Sequence, residues 1–106
     1  MIITTTEGVP GRAISRVQGV AMGSTVQSKN IGKDIGAGLK SLVGGELGSY
    51  SKLLAEARVE AMTRMEEHAA GLGADAVVNV RITTSTIAGG ASEVLAYGTA
   101  VTTGPA

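Results

Sequence analysis

A long amphipathic segment that leads directly into a strand is the feature that most constrains this fold. Ser49 is a suitable N-cap residue and Gly73 a suitable residue for the position after a helix end, so the pattern predicts a helix from Ser49 to Leu72. At 1.5 Å per residue this helix would be roughly 35 Å long, so it must follow the full length of a sheet or reach a neighbouring subunit. Its apolar stripe consists of Tyr50, Leu54, Ala57, Ala61, Met65, His68 and Leu72.

Alternating residues predict strands on both sides of this helix. Ile2 to Thr6 and Arg12 to Val26 precede it, and a turn rich in proline and glycine separates these two strands. Ala76 to Thr86 and Glu93 to Thr103 follow it as a hairpin around Gly89-Gly90. In the strand from Ala76, the residues expected to point inward are Ala76, Val78, Val80 and Ile82.

Small residues and glycines mark the region between the second strand and the long helix. One row of the second strand is nearly all small, which permits a helix or another backbone to approach closely, and Gly19 and Gly23 are candidates for a bend or bulge. Helical spacing then predicts a shorter helix, in which three glycines cost about 1 kcal/mol each relative to alanine. The apolar residues of that glycine-rich helix are Ile31, Ile35, Leu39, Leu42 and Val43.

Length and composition predict one domain, residues 1–106, that assembles with copies of itself. Charged residues make up 17% of the chain and hydrophobic residues 43%, without Phe or Trp. The last strand is apolar on both faces, whereas one helix layer covers only one face of a sheet. We therefore expect an α+β fold in which an antiparallel sheet packs against one long helix and the shorter glycine-rich helix, with identical subunits burying the remaining apolar surface.

Charge and hydropathy argue against several classes of partner. Nine basic and nine acidic residues balance to zero, so the chain lacks the basic surface that nucleic acids require. No run of 18 apolar residues exists, and the start of the chain lacks the cationic region of a signal peptide. Cysteine is absent, which excludes disulfides and thiolate metal sites. We expect a cytoplasmic protein that binds neither nucleic acid nor membrane.

Candidate chemistry is sparse. Gly36 to Ser41 resembles phosphate-binding loops, but Leu39 stands where a Walker loop needs glycine before its Lys-Ser pair. His68 is the sole histidine, and no residue at helical spacing from it could serve as a second metal ligand. We therefore expect no cofactor, no metal site within one subunit and no catalytic set. A metal site could still form where symmetry repeats one residue around the axis of an oligomer.

Arg58 is a candidate for a structural or a binding role, because it lies beside the apolar stripe of the long helix. It could pair with Asp34 or Asp75 and fix the helix against a loop or a neighbouring subunit. Alternatively, it could line a polar pocket that binds an anion or a small metabolite. Tyr50 is expected to pack its ring at the helix start, with its hydroxyl as a polar group.

A set of residues spread over nearly the whole chain forms a pattern shared with a known family. These residues are Gly19-Val20, Gly23, Asn30-Ile31, Asp34, Gly44-Gly45, Tyr50, Leu54, Ala57-Arg58, Ala61 and Leu72 to Val77. Through them the chain resembles the bacterial YbjQ-like family, widely labelled "putative heavy-metal-binding". This resemblance implies a ring of five subunits, of the dodecin-like or YbjQ-like kind, without an established biochemical activity.

We interpret the chain as a ligand-binding or structural ring module. The alternatives are a metal-binding or metal-stress protein and an enzyme with its site at the subunit interface. The candidate ligand-binding or interface residues are Asn30, Asp34, Tyr50, Arg58 and Asp75.

Overall fold

The computed structural model describes residues 1–27, 46–87 and 91–106. These residues form four strands and one helix, in a chain order that agrees with the sequence pattern. The predicted glycine-rich helix and the Gly89-Gly90 turn lie outside the described residues. The elements are β1 (Ile2–Ile3), β2 (Arg12–Gln27), α1 (Glu46–Gly71), β3 (Ala76–Thr86) and β4 (Ser92–Pro105).

The strands form one mixed sheet in the order β1-β3-β4-β2. β4 is antiparallel to both of its neighbours, as expected, but β1 runs parallel to β3. The amide of Thr4 donates to the Val77 carbonyl, and the Val80 amide donates to the Thr4 carbonyl, both at 3.0 Å. The expectation of a purely antiparallel sheet is therefore wrong. A strand of two residues carries too little alternation to indicate its direction or its neighbour.

α1 packs on one face of the sheet, mainly over β2, and Gly23 permits its close approach. A Cβ atom built on Gly23 would lie 2.5 Å from the Ala61 carbonyl oxygen and 2.7 Å from the Arg64 carbonyl carbon. Two backbones thus touch where the sequence predicted that small residues would allow it. Gly19 has a φ of 131° at a register shift in β2, which confirms the predicted irregularity there. The core beneath α1 is built almost wholly from alanine and valine, with Met65 among its largest side chains.

β3 changes the face to which it directs its apolar residues. Asn79 has a positive φ of 54°, and the register with β4 shifts between Val78 and Arg81. Before this point Val78 lies in a small cluster with Val9 and Val101, whereas Val80 lies in the core beneath α1. The expected alternation of four inward residues is therefore wrong, and Ile82, which should have been buried, is 41% exposed.

The start of α1 differs from the prediction, whereas its end agrees with it. The helix begins at Glu46, so Ser49 lies inside it and is not its N-cap. At the other end Gly73 has a φ of 82°, and the Ala74 amide donates to the Ala69 carbonyl at 3.1 Å. This pattern is a Schellman motif, and it confirms Gly73 as the residue that follows the helix end.

The protomer is elongated and leaves apolar residues uncovered. Its Cα atoms extend over 56 × 24 × 18 Å with a radius of gyration of 17.1 Å. A compact domain of about 100 residues has a radius of gyration of roughly 13 Å. On β2, exposed residues alternate with residues that face α1, so they lie on the sheet face away from the helix. We call this surface the outer sheet face, and its exposed apolar residues are Val17, Val20, Met22, Val26 and Tyr97.

Candidate functional site

Of the five candidate residues, the structure describes the side chains of Arg58 and Asp75, and it does not bring these two together within one protomer. Asn30 and Asp34 lie outside the described residues, so the predicted contribution of each stays a prediction. Tyr50 belongs to the first two turns of α1, and its side chain also lies outside the described part of the chain. Only Arg58 and Asp75 can be compared with each other.

Arg58 is exposed on α1 and forms no ion pair with Asp75. α1 continues for thirteen residues beyond Arg58, which is roughly 20 Å at 1.5 Å per residue, and Asp75 lies beyond its end. Within one protomer the predicted pair of Arg58 with Asp75 is therefore absent, because a long helix separates residues that are near each other along the chain. A pair of Arg58 with a carboxylate of a neighbouring subunit stays a prediction. The predicted pair with Asp34 lies outside the described residues.

Asp75 instead joins the turn after α1 to β4. Its carboxylate accepts from the Thr103 amide, at 3.0 Å to Oδ1 and 3.3 Å to Oδ2, and from the Thr103 hydroxyl at 3.1 Å. Arg12 Nε donates to the same hydroxyl at 2.7 Å. The Thr103 hydroxyl thus connects a cation on β2 to an anion beside β3. We call Arg12, Asp75 and Thr103 the strand-end cluster.

The strand-end cluster is suited to holding strands rather than to chemistry. The hydroxyl of Thr103 both donates and accepts, and the carboxylate of Asp75 accepts from two groups of one residue. Sequence reasoning missed Arg12 and Thr103. Neither belongs to a motif, and each lies near the end of a strand whose partner depends on strand order.

A second polar arrangement links α1 to the outer edge of β2. Arg64 Nη1 donates to the Ser24 carbonyl at 2.6 Å, and the Met22 amide donates to His68 Nδ1 at 3.0 Å. Arg64 also pairs with Glu60 one turn earlier, at 3.3 Å. Because Arg64 and His68 are four residues apart, they project from the same side of α1. We call their two bonds to β2 the edge contact.

The edge contact fixes the form of the imidazole. A backbone amide can only donate, so Nδ1 of His68 must supply a lone pair and the proton of the neutral ring lies on Nε2. A metal at Nε2 would need that proton removed or moved to Nδ1, where it would face the Met22 amide. His68 is consequently occupied as an acceptor, although its side chain is exposed.

No helix within the described part of the chain is both long and apolar enough to cross a membrane.

The chain is similar to proteins of one family over nearly its whole length. The YbjQ family model, described as "Putative heavy-metal-binding", matches residues 1–104. A UPF0145 protein of Methanoculleus marisnigri is 62% identical over 101 residues, covering 95% of this chain and 94% of the relative. A UPF0145 protein of Vibrio campbellii is 58% identical over 101 residues, covering 95% of this chain and 97% of the relative.

A solved structure shows the same fold in a distant sequence. The crystal structure of a protein with unknown function from Pediococcus pentosaceus, of the DUF74 family, aligns with a TM-score of 0.54 at 20% identity. The alignment covers 96% of each chain. This similarity concerns the fold alone.

The described residues do not fit a resident heavy metal. Nowhere in residues 1–27, 46–87 and 91–106 do three or more His, Cys, Asp or Glu side chains form a group that could hold an ion. Cysteine is absent from the whole chain. Soft metals select thiolate, thioether and imidazole ligands, and the one imidazole already accepts from Met22.

Proposed function

The chain belongs to the YbjQ family, and from that premise we propose that it is a subunit of a cytoplasmic homo-oligomeric ring. The ring has five subunits and acts as a structural or ligand-binding module rather than as an enzyme. The outer sheet face is the observation that carries this proposal. Five apolar side chains lie exposed there, while the core of the same protomer consists mainly of alanine and valine.

The energetics favour assembly. Burial of apolar surface contributes about 25 cal/mol per Å², and the described core, built mainly of alanine and valine, gains less of it within one protomer than a core of larger side chains would. The protomer is also extended over 56 Å in its longest direction, which leaves more surface in water than a compact domain of this length would. Covering the outer sheet face with identical subunits supplies the missing burial.

A ligand site in such a ring would lie between subunits. Arg58 is exposed on α1, and a guanidinium binds carboxylates and phosphates through paired hydrogen bonds. We propose that Arg58, with Asn30, Asp34 and Tyr50, contributes to a site for an anion or small metabolite. The strand-end cluster explains Asp75 without any ligand, so Asp75 is left out of this site.

Native mass spectrometry of the purified full chain tests both parts of the proposal. We expect a mass five times the 10.6 kDa of one chain, with a retained small molecule if the ring binds a ligand. A species of 10.6 kDa at micromolar concentration would contradict the ring.

Metal binding through residues repeated around the ring axis is the second candidate, and the family description supports it. Calorimetric titration with zinc separates the two candidates. Stoichiometric sub-micromolar binding that survives His68→Ala would favour repeated carboxylates on the axis, whereas we expect weak binding or none.

A further inference from the structure

Val101 lies on the same sheet face as the exposed valines of β2, although it is fully buried. Its neighbour Ala100 belongs to the core beneath α1, so Val101 points to the outer sheet face. Val17 pairs with it across β2 and β4, and Val17 is 63% exposed, whereas Val101 is 0% exposed. The outer sheet face is therefore open at β2 and covered towards β3. The two rows of paired residues that cross the face here are Val17–Val101–Ala76 and Val20–Thr99–Val78.

The cover is the segment that leads from β1 to β2, and we call residues 4–11 the strap. At the β3 edge the Asn79 amide donates to the Thr6 carbonyl at 2.9 Å. Val9 then packs against the small buried cluster that contains Val101. β2 begins directly after the strap, at the opposite edge of the sheet. The strap thus crosses the outer sheet face from β3 to β2.

The strap itself is less buried than the residues it covers. None of residues 1–11, all of which the structure describes, is fully buried. On either side of Val9, nothing lies within 4 Å of a Cβ built on Gly8 or on Gly11. Arg81 Nη1 donates to the strap carbonyl of Thr5 at 3.1 Å, and this contact is exposed. Segments with few buried apolar contacts and exposed hydrogen bonds open at a lower free energy than the rest of a fold.

We propose that the strap opens as a unit while the rest of the sheet stays folded. Opening breaks the backbone bonds to Asn79 and Val80 and lifts Val9 from its cluster. Val78 and Val101 then become exposed beside the valines of β2, so the open apolar surface extends from β2 across β4 to β3. Contacts within one protomer carry this proposal, and it does not depend on the proposed ring.

A single introduced cysteine reports the opening, because the chain contains none of its own. Val101→Cys places a thiol beneath the strap. Val94→Cys is the matched control, since Val94 is on the same strand, is 1% exposed and lies beneath α1. The rate of reaction with an aromatic disulfide reagent is measured for both variants without denaturant. Val101→Cys should react at least about tenfold faster than Val94→Cys, and equal rates would overturn the proposal.

Arg81→Ala loosens the strap, because it removes the bond to the Thr5 carbonyl. The loss of one hydrogen bond should accelerate the labelling of Val101→Cys about fivefold and leave that of Val94→Cys unchanged. Arg16→Ala, at another exposed arginine of the sheet, should alter neither rate. Equal acceleration at both cysteines by Arg81→Ala would indicate a general loss of stability and would overturn a separate opening of the strap.

Hydrogen exchange of the unsubstituted chain tests the same opening even where a cysteine variant does not fold. The amides of Asn79 and Val80 donate to the strap, whereas the Asp75 amide donates to the Val101 carbonyl of β4 at 3.0 Å. After correction for intrinsic rates, NMR should show lower protection at Asn79 and Val80 than at Asp75. Equal protection at all three amides would mean that the strap opens only together with the sheet, and would overturn the proposal.

Discussion

Gly23 is the residue on which the packing of α1 against β2 depends most directly. A Cβ atom there would meet the backbone at Ala61 and Arg64, and backbone cannot turn aside as a side chain can. We predict that Gly23→Ala lowers the free energy of unfolding by about 1–3 kcal/mol or more, the usual cost of overpacking a core. Urea denaturation at one fixed chain concentration measures this loss. Gly8→Ala is the control, because nothing lies within 4 Å of a Cβ built there, and an equally large loss in that variant would refute the explanation.

Asp75 holds the end of β4 through its two hydrogen bonds to Thr103. Asp75→Ala removes the acceptor of the Thr103 amide and hydroxyl, and we expect the free energy of unfolding to fall by about 1–2 kcal/mol. Glu67→Ala removes an exposed carboxylate from α1 and should change it by less than about 0.5 kcal/mol.

A double-mutant cycle identifies the partner of Asp75. Thr103→Val deletes the hydroxyl, and its effect should shrink once Asp75 is alanine. Full additivity of the two losses would contradict the strand-end cluster.

Regular alternation along the chain predicted the strands well, but it did not predict where a strand changes the face to which its apolar residues point. β3 runs from Ala76 to Thr86 as predicted, because alternation and flanking turn residues delimit a strand well. The change of face at Asn79 follows from one positive φ, and nothing in the local sequence distinguishes this asparagine from a turn or surface residue. Likewise, Ser49 appeared to be an N-cap because it precedes the apolar stripe, whereas α1 extends three residues further, to Glu46.

Substitution of Asn79 tests that reversal. Asparagine tolerates the left-handed region, whereas a β-branched residue does not, so Asn79→Val should reduce the free energy of unfolding by about 1–3 kcal/mol. Asn79→Gly should lose far less. Thermal and urea unfolding of both variants provide the measurement, and equal losses would show that the side chain of Asn79 matters rather than its φ.

The candidate site was less accessible to sequence reasoning than the fold. The pairing of Arg58 with Asp75 was inferred from chain proximity, but a rigid helix separates the two residues. Arg12, Arg64 and Thr103 contribute contacts that arise from strand order and helix placement, and these appear only in three dimensions.

Val20 and Val59 are exposed on two different surfaces of the protomer, so substitutions there can show which surface identical subunits cover. Val20 is 57% exposed on the outer sheet face, and Val59 is 65% exposed on α1. If identical subunits cover the sheet face, Val20→Glu should lower the oligomer mass in light scattering, because a carboxylate would be buried unpaired. Val59→Glu should leave the mass unchanged. Unchanged mass in both variants would place the interface elsewhere.

The exposed side chain of Arg58 bears on assembly rather than on the stability of one protomer. Since its side chain is exposed, Arg58→Ala should change the stability of the protomer by less than about 1 kcal/mol, as should Lys52→Ala. A role between subunits predicts that only Arg58→Ala lowers the oligomer mass or the retention of a bound anion. Native mass spectrometry of both variants checks this, and identical spectra would remove Arg58 from the proposed site.

The order of the strands has a consequence for how the chain folds during its synthesis. β2 is made early, yet its register with β4 joins Gln27 to Ser92 at the nearest point and Arg12 to Pro105 at the farthest. β1 likewise finds its partner only after β3 has been synthesised. The sheet can therefore close only after α1, β3 and most of β4 have left the ribosome, and contacts of such long sequence separation form slowly. Until then β2 lacks its partner β4, and its unpaired amide and carbonyl groups are open to pairing with other chains, which favours aggregation before the sheet closes.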